Sequence, residues 1–263
     1  MKAKPPSYMN KTILLLHPGY ESLRSYISRV PQFFATDEGT VVQDGRNLIK
    51  NFIAPDGTEL NIKRYHPPHH VNLFIYSFGL REPKGKRAFL YPQRLLAAGI
   101  DTPEPVAYIE ERRHGMLGHT YFVSIRCPYR HKCYEWGDAA AGTYEPFARA
   151  LGAFTAKMHA AGILHLDYSP GNILWDEDDK GYHFSLVDIN QMRFGAVSRH
   201  RGANSFSRLW GPKRMIAVMA GEYARLRGFD ETAFVAEAMA CRERFWRRYQ
   251  RRKPEKVKFN LEF

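Results

Sequence analysis

Cysteine is scarce in this sequence, with three residues in a chain of 263. An odd and small set (Cys127, Cys133 and Cys241) argues against a disulfide framework and favours a reducing compartment. Only His131 lies between Cys127 and Cys133 as a further ligand type, and no second CxxC pair exists, so the spacing does not match a zinc knuckle. We therefore expect neither disulfide bonds nor a structural zinc site.

Long apolar runs are also missing. Nowhere does the chain offer the roughly 18 consecutive apolar residues that a membrane-spanning helix needs. The N-terminal lysines precede the short run Ile13–Leu16, which is shorter than the apolar region of about 7 residues or more in a signal peptide. These absences predict a soluble protein, or one that is at most peripheral to a membrane.

Acidic residues are fewer than basic ones, with 27 Asp and Glu against 39 Lys and Arg. The formal net charge is therefore +12. Such a surface attracts anions: nucleic acid, phosphorylated sugars or acidic lipid headgroups. Charge alone does not choose among them. The 44% hydrophobic and 14% aromatic content is enough for a core, and the length suits one large domain or two packed lobes.

Two regions of different character follow one another along the chain. Residues 30–126 are strand-rich, with a hairpin turn at 54–57 and one helix over 84–98, in which Pro92 marks either a kink or the first turn of a shorter helix. Apolar residues at helical spacing predict a buried helix over 144–162, and arginine-rich helices follow over 210–227 and 231–252. The predicted strands are Thr40–Gln43, Asn47–Ile53, Thr58–Tyr65, Pro105–Ile109 and Thr120–Ile125.

The segment richest in chemistry runs from His165 to Leu174 and reads HLDYSPGNIL. Its His165, Asp167 and Asn172 follow the spacing H-x-D-x-x-x-x-N of a phosphotransferase catalytic loop. A predicted strand over 184–188 follows and ends on Asp188. The alternative is a β-hairpin whose Asp and Asn residues only make turns, which leaves the ordered spacing unexplained.

Phosphoryl transfer accounts for these residue types, because it depends mainly on positioning and on charge neutralisation. Asp167 would accept or orient the proton of the acceptor hydroxyl. Asn172 and Asp188 would supply oxygen ligands to the Mg²⁺ that bridges the phosphates of ATP. His165 is interpreted as a support for the loop rather than as a base.

A lysine on a strand is the next requirement, and TELNIKRY supplies Lys63. Strand alternation puts Lys63 on the opposite side from Leu60 and Ile62, where it could hold the α- and β-phosphates of ATP. The alternative is a solvated lysine at the edge of the sheet.

Four segments in chain order, NIKRY, LLAAGIDTPEPVAYIE, AKMHAAGILHLDYSPGNIL and LVDINQMRF, resemble the lipopolysaccharide core kinases of the Kdo/WaaP type, within the protein-kinase-like superfamily. The resemblance spans roughly residues 40–210. It implies an α+β, protein-kinase-like bilobal fold, with a small antiparallel-sheet N-terminal lobe carrying one helix and a mainly helical C-terminal lobe. We place the nucleotide-binding lobe at 1–126 and the lobe with the catalytic loop and the basic tail at 127–263.

The resemblance also implies an activity: transfer of phosphate from ATP to a hydroxyl of a lipopolysaccharide inner-core sugar, Kdo or heptose. Its setting would be the cytoplasm or the cytoplasmic face of the inner membrane, with a glycolipid or sugar as the partner. An acidic membrane surface is a further expected partner, nucleic acid is not expected, and the oligomeric state stays open.

The resemblance implies a role for individual residues of this chain. Asp167 matches the catalytic aspartate, Asn172 and Asp188 match the metal ligands, and Lys63 matches the phosphate-binding lysine. The loop that covers the nucleotide matches least, since residues 44–47 offer one glycine, Gly45, with Arg46 as a charged helper.

The sequence departs from the kinase pattern in three places. In kinases a glutamate on the following helix holds the strand lysine, but no acidic residue occurs between Lys84 and Gly99. The expected position of that glutamate falls near Leu90. Gln93 could hydrogen-bond Lys63 but could not pair its charge. Asn61 stands where kinases favour a small apolar residue against adenine. Ser169 replaces a lysine typical of protein kinases, which resembles small-molecule kinases such as the aminoglycoside phosphotransferases and favours a sugar or metabolite as acceptor.

Other readings of the chain stay open. The missing carboxylate is compatible with a nucleotide-binding pseudokinase scaffold, and the fold also fits a small-molecule or protein kinase. A nucleic-acid-binding protein would rest on charge alone. The basic, aromatic segment 242–252 would dock on acidic lipid, or else be a solvated helix face.

Overall fold

The computed structural model describes residues 10–36, 38–68 and 71–253. They form two compact units. The first comprises the described residues up to Arg94 together with Pro103–Cys127, and the second comprises Leu95–Thr102 and the described residues from Pro128 onward. The functional boundary at residue 126 stays a prediction. Residues 1–9 and the end of the basic tail, 254–263, lie outside the described residues.

The first unit is built on one antiparallel sheet with the strand order β1-β5-β6-β4-β3-β2. Its strands are β1 (Asn10–Leu16), β2 (Thr40–Gln43), β3 (Leu48–Ile53), β4 (Glu59–Tyr65), β5 (Pro105–Arg113) and β6 (Met116–Ile125). Its helices are a 3-10 helix (Pro18–Leu23), α1 (Arg24–Ile27), α2 (Val30–Phe33), α3 (Val71–Ser77), α4 (Lys84–Leu90) and the start of α5 (Pro92–Ala97).

Strands β2 to β6 lie where alternating apolar residues predicted strands, and β1 was not predicted. Strand β1 pairs with β5, with Leu14 opposite Ile109 and Leu16 opposite Ala107. The first half of β1 is exposed and its apolar residues are consecutive rather than alternating, so it lacks the period of a half-buried strand. Pro92 begins α5, which is the second of the two alternatives that the sequence left open.

The turn at 54–57 joins β3 to β4. The N–H of Ala54 donates to the carbonyl of Thr58 at 2.9 Å, and Asp56 Oδ1 accepts from the N–H of Thr58 at 3.0 Å. These bonds close the hairpin and fix its register, in which Ile62 lies opposite Lys50.

One face of the sheet carries the core of the first unit. Leu60 and Ile62 on β4 are fully buried there, against apolar side chains from the 3-10 helix, α1 and α2. Full burial of such side chains stabilises by about 1.5–3 kcal/mol each. The residues that cover this face are Leu23, Ile27, Val30, Phe33 and Phe34.

The other face of the sheet carries Lys63 and is covered by α4. Lys63 lies opposite Phe122, which in turn lies opposite Tyr108, so the three share one row of this face. A Cβ on Gly85 of α4 would meet the Tyr108 ring at 3.0 Å and Thr120 Oγ1 at 2.9 Å. The helix can approach this face closely because residue 85 has no side chain.

The second unit is mainly helical, with two small antiparallel sheets of order β10-β9-β7 and β11-β8. Its strands are β7 (His131–Lys132), β8 (Ile163–His165), β9 (Ile173–Asp178), β10 (Gly181–Leu186) and β11 (Met192–Phe194). Its longer helices are α6 (Glu145–Ala160), α7 (Arg199–Ser205), α8 (Lys213–Arg227) and α9 (Glu231–Arg252). Short 3-10 helices cover Cys133–Trp136, Pro170–Asn172 and Phe206–Arg208.

Helix α6 buries Phe147, Leu151 and Met158, as their spacing predicted. Helix α9 does not present all its basic residues to solvent, because Arg242 is buried and donates to the carbonyl of Gly211 at 3.0 Å, and Trp246 is buried beside it. Arg242 therefore belongs to the interior and not to a basic surface. Among the described residues, no helix has the length and apolar character needed to cross a membrane.

A buried histidine lies among α6, α7 and α8. Nδ1 of His159 lies 3.0 Å from the hydroxyl of Tyr223, and Nε2 lies 3.5 Å from Oγ of Ser205, which itself donates to the carbonyl of Arg201. A neutral imidazole that accepts from Tyr223 and donates to Ser205 satisfies all three groups. Burial lowers the pKa of His159 from 6.5 to about 3.

This histidine makes the stability of the fold depend on pH. The folded pKa lies below the unfolded value, so the unfolded chain binds more protons between pH 6.5 and about 3, and stability falls as the pH drops through that window. Between pH 7 and pH 5 His159 should remove about 2 kcal/mol from the free energy of unfolding. Urea titrations of the wild type and of His159→Gln at both pH values measure this, and the variant should lose about that much less. Equal losses in both proteins would contradict the assignment.

Candidate active site

The predicted catalytic loop connects β8 to β9 in the second unit. Asp167 lies two residues after β8, and the 3-10 helix Pro170–Asn172 leads into β9. The N–H of Leu166 donates to the carbonyl of Gln191, and Tyr168 is buried with its hydroxyl 2.8 Å from Oγ1 of Thr155 on α6. Pairing with β11 and anchoring on α6 thus hold the residues on both sides of Asp167, while its own side chain is about one third exposed.

His165 braces this loop from within. Its Nδ1 accepts the N–H of Asp167 at 3.1 Å, so Nε2 carries the proton and donates to the carbonyl of Val187 at 3.2 Å. Burial lowers the pKa of His165, chiefly because the charged ring would lose its hydration. A neutral histidine with both nitrogens engaged acts as a support for the loop, in agreement with its interpretation from sequence.

Asn172 lies on the catalytic loop, and the segment that carries Asp188 is hydrogen-bonded to that loop. The side-chain NH₂ of Asn172 donates to the carbonyl of Asp167 at 2.8 Å, and the carbonyl of Asn172 accepts the N–H of Val187 at 3.0 Å. Asp188 lies two residues beyond the end of β10, and not at the end of the strand as predicted. Its φ of +54° is a left-handed conformation that is unusual for a residue with a side chain. Hydrogen bonds therefore link the loop that carries Asp167 and Asn172 to Val187, the residue before Asp188.

The oxygen donors fit a hard cation. The amide nitrogen of Asn172 points to the loop, which leaves its Oδ1 as the acceptor atom, and a carboxylate oxygen of Asp188 accepts from the side chain of Asn190. Among the described residues no three His, Cys, Asp or Glu side chains cluster as a metal site of their own. One amide and one carboxylate suit Mg²⁺, which takes most of its remaining ligands from phosphates and water.

Arg208 is a site residue that sequence reasoning missed. Its guanidinium forms an ion pair with the Asp167 carboxylate and lies 5.4 Å from the centre of the Phe245 ring. It ends a 3-10 helix after α7, in a stretch for which no element was predicted. No spacing rule links residues 167 and 208, and Ser198 as the N-cap of α7 was the available local signal.

Gly171 allows Tyr134 to pack onto the loop. A Cβ at residue 171 would lie 2.7 Å from the edge of the Tyr134 ring. Tyr134 in turn stacks edge-on against Trp210, at 4.6 Å between ring centres. The glycine of the Ser-Pro-Gly segment thus has a local packing reason.

The remaining predicted residues lie in the first unit. Gly45 and Arg46 are exposed in the turn between β2 and β3. Ile49, shortly after this turn, lies opposite Lys63, so the turn and the lysine share one end of the sheet. A Cβ at Gly45 would meet nothing within 4 Å, so protein packing does not account for the glycine.

Lys63 lies 5.1 Å from the centre of the Tyr65 ring, on the face covered by α4. Leu90 ends α4 and is exposed, and this helix carries no carboxylate. A buried carboxylate does occur on β5, but Glu110 accepts from the Tyr108 hydroxyl and from Arg112 Nε, each at 2.5 Å. Asn61 donates to Asn51 Oδ1 at 2.7 Å, which accounts for its polar side chain within the sheet.

Comparison with known proteins gives the chain a family context. The model of the lipopolysaccharide kinase (Kdo/WaaP) family matches residues 34–226. A solved structure of WaaP in complex with acyl carrier protein is similar to this chain, at 18% identity and a TM-score of 0.55, over 89% of this chain and 99% of that one. This likeness supports the protein-kinase-like fold. No curated protein sequence matches the chain.

Two further solved structures are similar at lower scores. The Rio2 kinase from Chaetomium thermophilum in its ADP/Mg²⁺-phosphoaspartate complex has 14% identity, over 90% of this chain and 78% of that one, with a TM-score of 0.47. The amicoumacin kinase hAmiN in complex with AMP-PNP, Ca²⁺ and Ami has 12% identity, over 91% and 81%, with a TM-score of 0.44. The fold assignment therefore rests on the family model and the WaaP structure.

Removing the brace of the loop should destabilise the second unit. In His165→Ala the N–H of Asp167 and the carbonyl of Val187 lose their partner and a buried volume empties, at a cost of about 2–4 kcal/mol in the free energy of unfolding. His183→Ala is a matched control, because this histidine is half-exposed and its ring bonds to the exposed Asp178 carboxylate, so its loss should cost less than about 0.5 kcal/mol. Urea unfolding of the three proteins provides the measurement, and similar values for both variants would refute the bracing role.

Proposed function

The chain belongs to the lipopolysaccharide kinase (Kdo/WaaP) family, and on that premise we propose that this kinase transfers the γ-phosphoryl group of ATP to a hydroxyl of an inner-core sugar, Kdo or heptose. The observation that carries the proposal is the network through His165 that joins Asp167, Asn172 and the segment before Asp188. It supports a base and one oxygen ligand on the catalytic loop, hydrogen-bonded to the segment that carries the second ligand, as phosphoryl transfer requires.

In this proposal Asp167 is the catalytic base. As the acceptor oxygen bonds to the γ-phosphorus, the bond from that phosphorus to the bridging oxygen of ADP breaks, and the hydroxyl proton passes to the Asp167 carboxylate. Arg208 is a positioning residue in this step, because its ion pair with Asp167 fixes the direction of the carboxylate.

The proposal assigns nucleotide-binding roles to residues within each unit. Asn172 and Asp188 would hold Mg²⁺, which when bound neutralises the charge of the ATP phosphates. Lys63 would bind the α- and β-phosphates, while backbone amides near Gly45 and the Arg46 guanidinium would cover them. The register of β3 with β4, which puts Lys63 at the end of the sheet nearest this turn, supports their grouping.

The expected acceptor is a glycolipid at the cytoplasmic face of the inner membrane. The net charge of +12 favours peripheral contact with an acidic lipid surface. Arg242 is excluded from such a contact because it is buried, which leaves the exposed arginines of α9, such as Arg244, Arg247 and Arg251, as candidates.

A nucleotide-binding scaffold is the second candidate, and the absence of a carboxylate from α4 favours it. A scaffold needs no base, however, so it would not account for the presence of a carboxylate at residue 167. A kinase of the same fold with another acceptor differs from the proposal only in its substrate.

The first prediction of the proposal concerns the base. With Mg²⁺, labelled ATP and Kdo-bearing lipid A, Asp167→Asn should lower the turnover number by about 10²–10⁴-fold, because general-base catalysis contributes about that much. Asp178→Asn is the matched control, since this half-exposed aspartate lies at the end of β9 and should leave the rate within about twofold. Transfer of labelled phosphate to lipid measures both. No transfer by the wild type, with ATP still bound, would favour the scaffold.

The second prediction concerns the nucleotide. Lys63→Met should weaken ATP binding, seen as an increase in the KM for ATP of at least about tenfold, because a charge-assisted bond to phosphate is lost. Lys86→Met is the control, since Lys86 forms an ion pair with Glu82 at 2.8 Å on the same unit. Steady-state kinetics at fixed acceptor measure the difference, and equal KM values for the two variants would remove Lys63 from the site.

A further inference from the structure

A cavity of about 460 Å³ opens beside the catalytic loop, within the second unit. Its size falls within the range of about 300–1,000 Å³ that is usual for small-molecule sites. His165 and Tyr168, the neighbours of Asp167, form part of its lining. The cavity is therefore on the loop that carries the proposed base, and the mechanism above gives it no role.

The charged side chains that line the cavity are basic. Arg193, Arg201, Arg208 and Arg248 all line it, and of the described residues in the lining none is acidic. The buried His165 does not add to this charge, because its pKa is lowered.

These arginines come from separate segments of the chain. Arg193 lies on β11, Arg201 on α7, Arg208 after α7 and Arg248 on α9. Within the part of the chain that the structure describes, Arg193, Arg201 and Arg248 form no ion pair, whereas the nearby Arg199 and Arg247 pair with Glu237 and Glu243. Positive charges that share a cavity raise the electrostatic free energy of the free protein. The Asp167 carboxylate offsets this only at Arg208, and a bound anion would lower the free energy further.

Arg208 connects the cavity to the catalytic carboxylate. It lines the cavity and at the same time forms the ion pair with Asp167. An anion bound to the other arginines would contact Arg208 too, and would lie one guanidinium group away from Asp167. A hydroxyl on a neighbouring carbon of the same molecule would then be within reach of the base.

The rest of the lining is suited to a sugar. The Phe245 ring and the half-exposed Leu166 offer apolar surface, while Asn204 and Ser207 offer hydrogen-bonding groups. Sugar rings present apolar C–H faces together with hydroxyl edges, so this mixture recognises a carbohydrate that carries an acidic group.

We propose that this arginine-lined cavity binds an anionic group, a carboxylate or a phosphate, on the sugar acceptor and thereby sets which hydroxyl meets Asp167. The inference rests on the proposed function and adds to it a chemical class of acceptor. Neutral acceptors are selected against, because they leave Arg193, Arg201 and Arg248 without the kind of counter-charge that Asp167 gives Arg208.

The test compares two double variants with the same change in net charge. Arg201→Gln/Arg248→Gln removes two lining arginines, and Arg199→Gln/Arg247→Gln removes their neighbours on the same helices, which do not line the cavity. Binding of Kdo-bearing lipid A in detergent, without ATP, is measured by isothermal titration calorimetry. Circular dichroism and unfolding midpoints verify that each variant is folded.

Loss of the lining arginines should weaken acceptor binding, whereas loss of their neighbours should have little effect on it. We expect the lining pair to weaken acceptor binding by at least about tenfold, as the loss of charge-assisted hydrogen bonds implies, and the neighbouring pair by less than about twofold. The KM for ATP should stay unchanged in both. Equal weakening by both pairs would reveal only long-range attraction and would overturn the proposal, as would no weakening at all.

Two modified acceptors distinguish a carboxylate on the sugar from a phosphate on lipid A as the group that the cavity binds. If reduction of the sugar carboxyl groups to alcohols abolishes the difference between the double variants, the cavity binds a carboxylate. If removal of the lipid A phosphates abolishes it instead, the cavity binds a phosphate. Because these arms measure binding without turnover, an arginine-dependent affinity combined with no phosphoryl transfer would refute the proposed function and leave the anion site intact.

Discussion

The imidazole of His165 is the interaction on which the rest of the site depends. One neutral ring accepts from the backbone of Asp167 and donates to the backbone of Val187, and so joins two loops that lie 22 residues apart in sequence. Asn172 adds a second link between the same loops. Because these bonds anchor backbone groups of both loops, they fix where the Asp167 and Asp188 carboxylates emerge. Each carboxylate also has a side-chain partner, Arg208 for Asp167 and Asn190 for Asp188.

Much of this arrangement could be predicted from sequence because it is local. The spacing of Asp167 and Asn172 fits within one loop, and the apolar residues of α6 follow the helical period, so short-range rules were enough. The face of Lys63 followed from strand alternation in the same way, and the register of β4 with β6 agrees with it. The assignment of Lys63 to the nucleotide remains a prediction.

The features that sequence reasoning missed are those that depend on distant partners. Strand β1 is defined by its pairing with β5, almost 100 residues later, and not by its own pattern. Arg208 reaches Asp167 across 41 residues, and Arg242 looks like one more basic surface residue until the fold buries it. Single-residue propensities contain no information about such partners, since charge and hydropathy are the same wherever the chain folds.

The short turn at 54–57 has a consequence for the chemistry of a site to which it contributes no side chain. A strand has a side-chain period of two, so a shift of one residue between β3 and β4 would move Lys63 to the face now occupied by Leu60 and Ile62, and would bring these two to the face of α4. The bonds of Ala54, Asp56 and Thr58 oppose that shift. The length of this loop is thus part of the specification of the proposed nucleotide site, and an insertion there would alter the site as thoroughly as replacing the lysine.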